Sequence, residues 1–191
     1  MSFPAQLLRG LRATLVLWLL TVVVITLPML GLARLMAPDA ASGNLIRRNG
    51  QVVGSRLIGQ SFRSGRYLQG RPAGSPHVAP SNPALRARVA AAANAWQQKG
   101  IDKPAADLLL DSGSGVDPHI SLAAALQQLP RLSSERQLPM ATLEQLLRQN
   151  QEGPRSLQAI EPVVNVLTFN LALDALGGAV PSQDPPTSSR P

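Results

Sequence analysis

Between Arg12 and Arg34 the chain carries no charged residue: the 21 positions from 13 to 33 read ATLVLWLLTVVVITLPMLGLA. At about 1.5 Å rise per residue this run makes roughly 32 Å of helix, enough to cross a hydrocarbon core of about 30 Å. Arg9 and Arg12 flank one end and Arg34 the other, where their stems can snorkel to the headgroups. A cleaved signal peptide is the rival reading, but its apolar region spans about 7–15 residues and ends in a small-x-small site. Here the run is longer, and Gly31-Leu32-Ala33-Arg34-Leu35 is a poor cleavage site. The stretch is therefore read as an uncleaved transmembrane helix over residues 13–35, preceded by a short tail, 1–12. Pro28 lies late in the span and is expected to kink it or loosen its last turn, because proline has no N–H to return to the helix.

Arginines stand on both sides of the anchor, so counting them does not fix its orientation, and long domains translocate largely regardless of charge. The favoured arrangement puts the short basic tail in the cytoplasm and the remainder outside. The chain of 191 residues has no cysteine, which removes disulfide frameworks, cysteine-ligated zinc, iron–sulfur clusters and thiol catalysis. Two histidines, His77 and His119, leave little material for an all-histidine metal site. Hydrophobic residues make up 45% against 15% charged, too apolar for a disordered chain.

Charge divides the rest. Residues 34–88 hold nine arginines against Asp39 alone, a net +8, whereas residues 89–191 hold seven basic and ten acidic residues, a net −3. Such a basic stretch can bind nucleic acid. Only Phe62 and Tyr67 interleave with these arginines, however, and no recognition-helix pattern accompanies them, so no nucleic-acid partner is expected. A solvated face that also meets membrane lipid headgroups or an acidic partner is the plainer reading.

After a linker over 36–44, Asn49-Gly50 stands between two apolar pairs, the preferred type I′ dipeptide of a β-hairpin. Leu57-Ile58 and Arg66-Tyr67-Leu68 are candidates for further short strands, and 70–80 is loop. Ser81 or Asn82 caps a helix with Pro83 at its first position and Gly100 as terminator, and Leu85, Val89, Ala92 and Trp96 form its inward stripe. Residues 107–110 read as a short strand. Ser121 caps a helix to about Leu129, stopped by Pro130. A helix from Pro139 to Asn150 buries Leu143, Leu146 and Leu147, and another runs from Val163 to Leu176, ending at Gly177-Gly178. The fold class expected is α+β: one N-terminal transmembrane helix, then a small domain over 45–178 with a β-hairpin and about four helices, and a Pro/Ser-rich disordered tail, 179–191.

The run Ser112-Gly113-Ser114-Gly115-Val116-Asp117-Pro118-His119-Ile120-Ser121 contains the residue types of a hydrolase triad. The spacing opposes that chemistry, because a nucleophilic serine needs a strained elbow, with base and orienter arriving from separate segments. A metal site from Asp117, His119 and His77 lacks an identifiable fourth ligand. The structural reading is a loop whose glycines permit positive φ, with Asp117-Pro118 as turn initiator and Ser121 as helix cap. No phosphate-binding loop is present, and Glu144 and Glu152 read as solvated carboxylates of an amphipathic helix. No catalytic residue, metal or cofactor is expected on this chain.

Read in order, these segments resemble the C subunit of the bacterial Kdp-type potassium-transporting ATPases. The matching pieces are the Arg-flanked anchor; Asn49-Gly50 followed by Val52-Val53-Gly54-Ser55 and Leu57-Ile58-Gly59-Gln60 with Phe62; and Gly70-Arg71-Pro72. They continue with Pro80-Ser81-Asn82-Pro83, Ser112 to Ser121, Pro130-Arg131, and Glu161-Pro162 with Val164-Asn165-Val166-Leu167 and Asn170-Leu171-Ala172-Leu173. The resemblance implies a non-catalytic accessory subunit in the bacterial inner membrane with its domain extracytoplasmic. It implies three partners: a potassium-channel-like subunit, a P-type ATPase subunit that hydrolyses ATP, and a small single-span subunit. A role in assembly, with gating of the ion entrance, follows from the same resemblance. The candidate partner-contact or structural residues are those of the 112–121 run, Gly70, Arg71, Pro72, Ser81, Asn82, Pro83, Asn165 and Asn170. The chain departs from the family in a short 73–79 loop, Leu122 in place of proline, Val163 in place of arginine, and Gln151-Glu152-Gly153-Pro154 in place of Thr-Glu-Gly-Arg. A free-standing anchored extracytoplasmic binding protein that uses the Arg-rich segment 47–71 is the alternative.

Overall fold

The computed structural model describes residues 3–73, 78–153 and 161–176. His77, the Gly177-Gly178 terminator and the 179–191 tail lie outside the described residues. The chain divides into two compact units, Met1–Leu45 and Ile46–Pro191.

The first unit is helical over Phe3–Met36, with none of its most apolar window buried. The helix is built of α1 (Phe3–Thr21), a π-helical turn over Val22–Thr26 and α2 (Leu27–Met36). The disturbance expected at Pro28 falls in the turn before it, because a proline withdraws its N–H from carbonyls four and five residues earlier. The stretch read as linker includes a helical turn, α3 (Pro38–Ala41), closed by Ser42 Oγ donating to the Pro38 carbonyl at 2.7 Å.

The second unit is α+β. Strands β1 (Leu45–Arg48) and β2 (Gln51–Ser55) form the hairpin, and Asn49 (φ 51°) and Gly50 (φ 79°) take the positive φ that a type I′ turn demands. Helix α4 (Pro83–Gln97) starts as its sequence dictates: Asn82 Oδ1 accepts from the Ala84 N–H at 2.9 Å, and Pro83 occupies the first turn. Of its stripe, Leu85, Val89 and Ala92 are half-buried and Trp96 is buried, donating Nε1–H to the Leu108 carbonyl at 3.0 Å.

Four expectations give way to other local structures. Residues 107–110 hold no strand; Ala106–Leu108 is a 3₁₀ turn. Leu57-Ile58 and Arg66-Tyr67-Leu68 lie in turns and loop. The helix capped by Ser121 is only α5 (Leu122–Leu126), and Pro130 begins the next helix, α6 (Leu129–Arg136), rather than ending one. A proline is equally suited to a first helical turn, where its missing N–H has no acceptor to serve. Val163–Asn165 is strand β5, and α8 begins only at Val166 (Val166–Leu176). The β-branched pair favours the strand, and Asn165 caps the helix by accepting the Thr168 N–H on Oδ1 at 3.1 Å.

Strands β3 (His119–Ser121), β5 and β4 (Gln151–Glu152) make an antiparallel sheet in the order β3-β5-β4, with His119 opposite Asn165 and Glu152 opposite Val163. Helix α7 (Met140–Asn150) leads into β4 and packs on α6 and α8. Leu143, Leu146 and Leu147 are buried as read from the sequence, joined by Leu68, Leu108, Ile120, Leu132, Val164, Phe169 and Leu173 in one core.

Candidate functional site

The 112–121 run is a loop held by its own side chains. Ser112 Oγ accepts the Asp117 N–H at 3.2 Å, Ser114 Oγ accepts the Val116 N–H at 3.3 Å, and Asp117 Oδ1 accepts the His119 N–H at 3.0 Å. Gly115 takes φ 73° within it. Each short polar side chain closes a backbone turn that a longer one would leave open. Ser121 then caps α5 by accepting the Ala124 N–H at 3.2 Å.

His119 is 17% exposed at its side chain, with Nδ1 3.1 Å from Asp117 Oδ1 and Nε2 3.5 Å from Glu152 Oε2. Both ring nitrogens face carboxylates, so neither is positioned to activate Ser112 or Ser114, whose hydroxyls lie 3.5 Å from each other. A nucleophile–base pair requires that contact. Glu152 is thus not the solvated carboxylate read from the sequence. The sheet register brings it across β5 to His119, since Val163 and Asn165, the residues opposite the two, share one face. Among the described residues, no group of three or more His, Asp or Glu side chains converges on a common point.

Arg71 joins this loop to the segment before it. Its guanidinium pairs with Asp107, donates Nε–H to the His119 carbonyl at 3.3 Å and stands 3.9 Å from Asp117 Oδ2. Asp107 in turn accepts the Ser121 N–H at 2.7 Å. Gly70, Arg71 and Pro72 line a shallow depression together with Asp117 and Pro118. Asn165 completes the group: its Nδ2–H donates to the Arg56 carbonyl at 2.9 Å, while the next N–H, of Val166, donates to the Pro118 carbonyl at 3.0 Å. So Gly70-Arg71-Pro72, the 112–121 loop and Asn165 converge. Ser81-Asn82-Pro83 does not join them; it starts α4, whose Arg88 reaches Asp111 at 3.2 Å.

A second polar layer lies behind. The Asn170 amide accepts the Leu68 N–H (2.8 Å) and donates to the Leu68 carbonyl (2.9 Å). The Gln128 amide does the same for Gln69, both bonds at 2.9 Å. Two side-chain amides thereby replace a neighbouring strand for two successive residues, Leu68 buried and Gln69 half-buried. Arg131 donates to the Gly65 and Tyr67 carbonyls and to Gln128 Oε1. Burial lowers its pKa from the ordinary arginine value, against the opposing pull of Glu135. Lys99 sits 4.5 Å over the Trp96 ring, and burial, then Arg131, lowers its pKa from the usual lysine value. Gln128 and Asp107 carry no local motif, and their long-range partners mark them.

The loop of residues 55–60 closes the front. The Gly59 N–H donates to the Val116 carbonyl at 2.7 Å, and a Cβ on Gly59 would lie 2.7 Å from the Asp117 carbonyl oxygen. Gly59→Ala is therefore expected to push the two loops apart and cost about 1–3 kcal/mol, read as an earlier unfolding midpoint of the full chain in detergent. A midpoint equal to that of the parent would show that this close approach is not needed. The surface so built is mixed: Leu57, Ile58 and Val116 are each 51% exposed, and Arg56, Leu57 and Ser114 line an open recess of about 340 Å³.

A family profile described as KdpC: K+-transporting ATPase, c chain, matches residues 7–175. Among curated relatives, a protein of Nostoc sp. named potassium-transporting ATPase KdpC subunit 1 is 40% identical over 201 residues, covering 92% of this chain and 98% of its own. A potassium-transporting ATPase KdpC subunit of Synechocystis sp. is 42% identical over 183 residues, covering 86% and 95%. One from Yersinia pestis is 42% identical over 187 residues, covering 86% and 92%.

Proposed function

The chain belongs to the KdpC family, the c chain of K+-transporting ATPases, and from that premise we propose that it is a non-catalytic accessory subunit of an ATP-driven potassium import complex. The observation that carries the reading is the match over residues 7–175, which takes in anchor and domain together. Its partners are then a channel-like subunit, a P-type ATPase subunit in which catalysis resides, and a small single-span subunit. The domain stabilises the assembly, and the mixed surface around Leu57 and Val116 is where it docks, with gating of the ion entrance as the consequence. In support, the ring nitrogens of His119 face carboxylates, and the hydroxyls of Ser112 and Ser114 accept backbone N–H groups of their own loop.

The test is to tag the chain, extract bacterial membranes in mild detergent and measure potassium-stimulated ATPase activity in the eluate. Large membrane subunits with that activity, lost when this chain is deleted, are expected. A lone 20.2 kDa chain, with transport untouched by deletion, would instead favour the free-standing binding protein.

The proposed topology has the residues before the anchor in the cytoplasm and the domain extracytoplasmic, in the inner membrane. Because the chain has no cysteine, Ser114→Cys gives a unique thiol, expected to react with an impermeant maleimide in intact cells whose outer membrane has been permeabilised. Protection there, with full reaction after lysis, reverses the orientation.

A further inference from the structure

The basic residues of the domain lie on the stretch that follows the anchor most closely. Between Asp39 and Asp102 there is no acidic residue, and the same stretch holds eight arginines and Lys99. Eight residues, 37–44, separate the end of α2 at Met36 from the start of β1 at Leu45. Fully extended, that link reaches only about 30 Å, and α3 winds four of its residues into a helical turn. The hairpin is thus tethered within that distance of the anchor's end.

The charge on this stretch exceeds what the domain itself neutralises. Arg48 stands 3.5 Å from Asp174 Oδ2 and Arg136 2.8 Å from Asp174 Oδ1, and the Tyr67 hydroxyl donates to Oδ2 at 3.3 Å. One carboxylate therefore serves two guanidiniums and a phenol, and the group keeps a surplus positive charge. Arg66 adjoins it, its carbonyl accepting the Arg136 Nε–H at 2.8 Å. Arg47 and Arg66 are exposed, and among the described residues their guanidiniums make no ion pair. A two-residue turn at Asn49-Gly50 sets Val52 across the hairpin from Arg47, and Val52 is 48% exposed.

We infer that this face of the domain rests on the anionic phospholipid headgroups of the membrane surface. Arg47 and Arg66 take phosphate oxygens, and Val52 enters the interfacial layer between them. A guanidinium presents a planar fork of donors that matches a phosphate. An exposed apolar side chain beside arginines is unfavourable in water and favourable at the headgroup–acyl boundary. The tether keeps both near the bilayer, where each basic side chain adds to the attraction. The inference rests on the anchor crossing the bilayer. It holds for either orientation and does not depend on the subunit reading.

The test uses the full chain alone, reconstituted in lipid nanodiscs. Because the chain has no cysteine, Val52→Cys accepts a single environment-sensitive fluorophore, and aqueous iodide reports its exposure. Discs of phosphatidylcholine are compared with discs of equal parts phosphatidylcholine and phosphatidylglycerol. The iodide quenching constant should fall by about threefold or more in the anionic discs. Raising the salt from about 0.1 M to about 1 M, which shortens the screening length from roughly 10 Å to 3 Å, should restore it. Each arginine at an anionic surface is worth about fivefold in binding, so Arg47→Gln with Arg66→Gln should lower the docked-to-free ratio roughly twenty-five-fold. Arg47→Lys with Arg66→Lys keeps the charge and should keep most of the protection.

Equal quenching in the two kinds of disc overturns the headgroup contact, as does loss of protection in the lysine pair as complete as in the glutamine pair. Protection that arises only when other membrane subunits are present assigns the face to an acidic protein partner and overturns it equally. Each of these leaves the span and the subunit reading intact. A chain that fails to enter the discs overturns the span itself.

Discussion

Asn170→Leu is expected to lower the stability of the domain by about 2–6 kcal/mol, the cost of leaving a buried N–H and a buried C=O unpaired at about 1–3 kcal/mol each. Asn170 is 2% exposed and both atoms of its amide serve Leu68, which is 0% exposed. Leucine has the same number of side-chain heavy atoms with the same branching, so the loss would not reflect a cavity. Asn170→Asp keeps the acceptor for the Leu68 N–H but sets a second oxygen against the Leu68 carbonyl, so it should be no better than leucine. Urea unfolding of the full chain, followed by Trp96 fluorescence in a Trp18→Phe background, reads the difference. A midpoint within error of the parent would mean that the amide does not hold the 66–71 segment.

Arg71→Met should unfasten the 112–121 loop with a loss of about 2–3 kcal/mol, less than the roughly 3–5 kcal/mol for breaking a fully buried ion pair, because the pair is partly open: Arg71 is 24% and Asp107 15% exposed. The methionine fills the same volume yet leaves Asp107 and Asp117 near one another without the guanidinium between them. Arg71→Lys keeps the charge but not the fork, so it should recover only part of the loss. Amide hydrogen exchange locates the effect: residues 117–121 should exchange faster, while α7, which makes no bond to Arg71, keeps its protection. Uniform acceleration across the domain would show that Arg71 supports the whole fold instead of the loop. Loss of partner co-purification in Arg71→Met with the α7 protection intact would tie the loop directly to docking.

Both substitutions bear on what the sequence displayed openly. The 112–121 run was legible as a place of interest from its own residues, glycines and a proline where the chain must turn; Gly70-Arg71-Pro72, Asn165 and Asn170 stood out only through the family resemblance. What each does was less legible. Asn170 lies 102 residues from the backbone groups it serves, and nothing near Leu68 announces that its N–H and C=O lack a strand. Glu152 read as solvated because it follows an amphipathic helix; the β4–β5 register, not the helix, sets its neighbour. At the departures, the Leu122 N–H donates to the Pro162 carbonyl at 3.0 Å, a bond that proline could not make, and Val163 pairs with Ser121 in the sheet.

The anchor, the Asn49-Gly50 hairpin, the Asn82-Pro83 start of α4, the Ser121 cap and the buried leucine stripe of α7 were all determined by residues within a turn or two of one another. Their physics is short-range: a side chain meets the orphan N–H of its own helix end, a residue tolerates positive φ, an uncharged run is longer than a bilayer is thick. The tertiary structure alone decided that Pro130 opens α6 instead of ending a helix, that Val163–Asn165 joins a sheet, and that Gln128 and Asn170 stand in for a missing strand. Those outcomes depend on which acceptors and carboxylates other segments deliver once the core has closed. A buried polar group must find a partner wherever one lies, and in this chain the partners come from segments far apart in sequence.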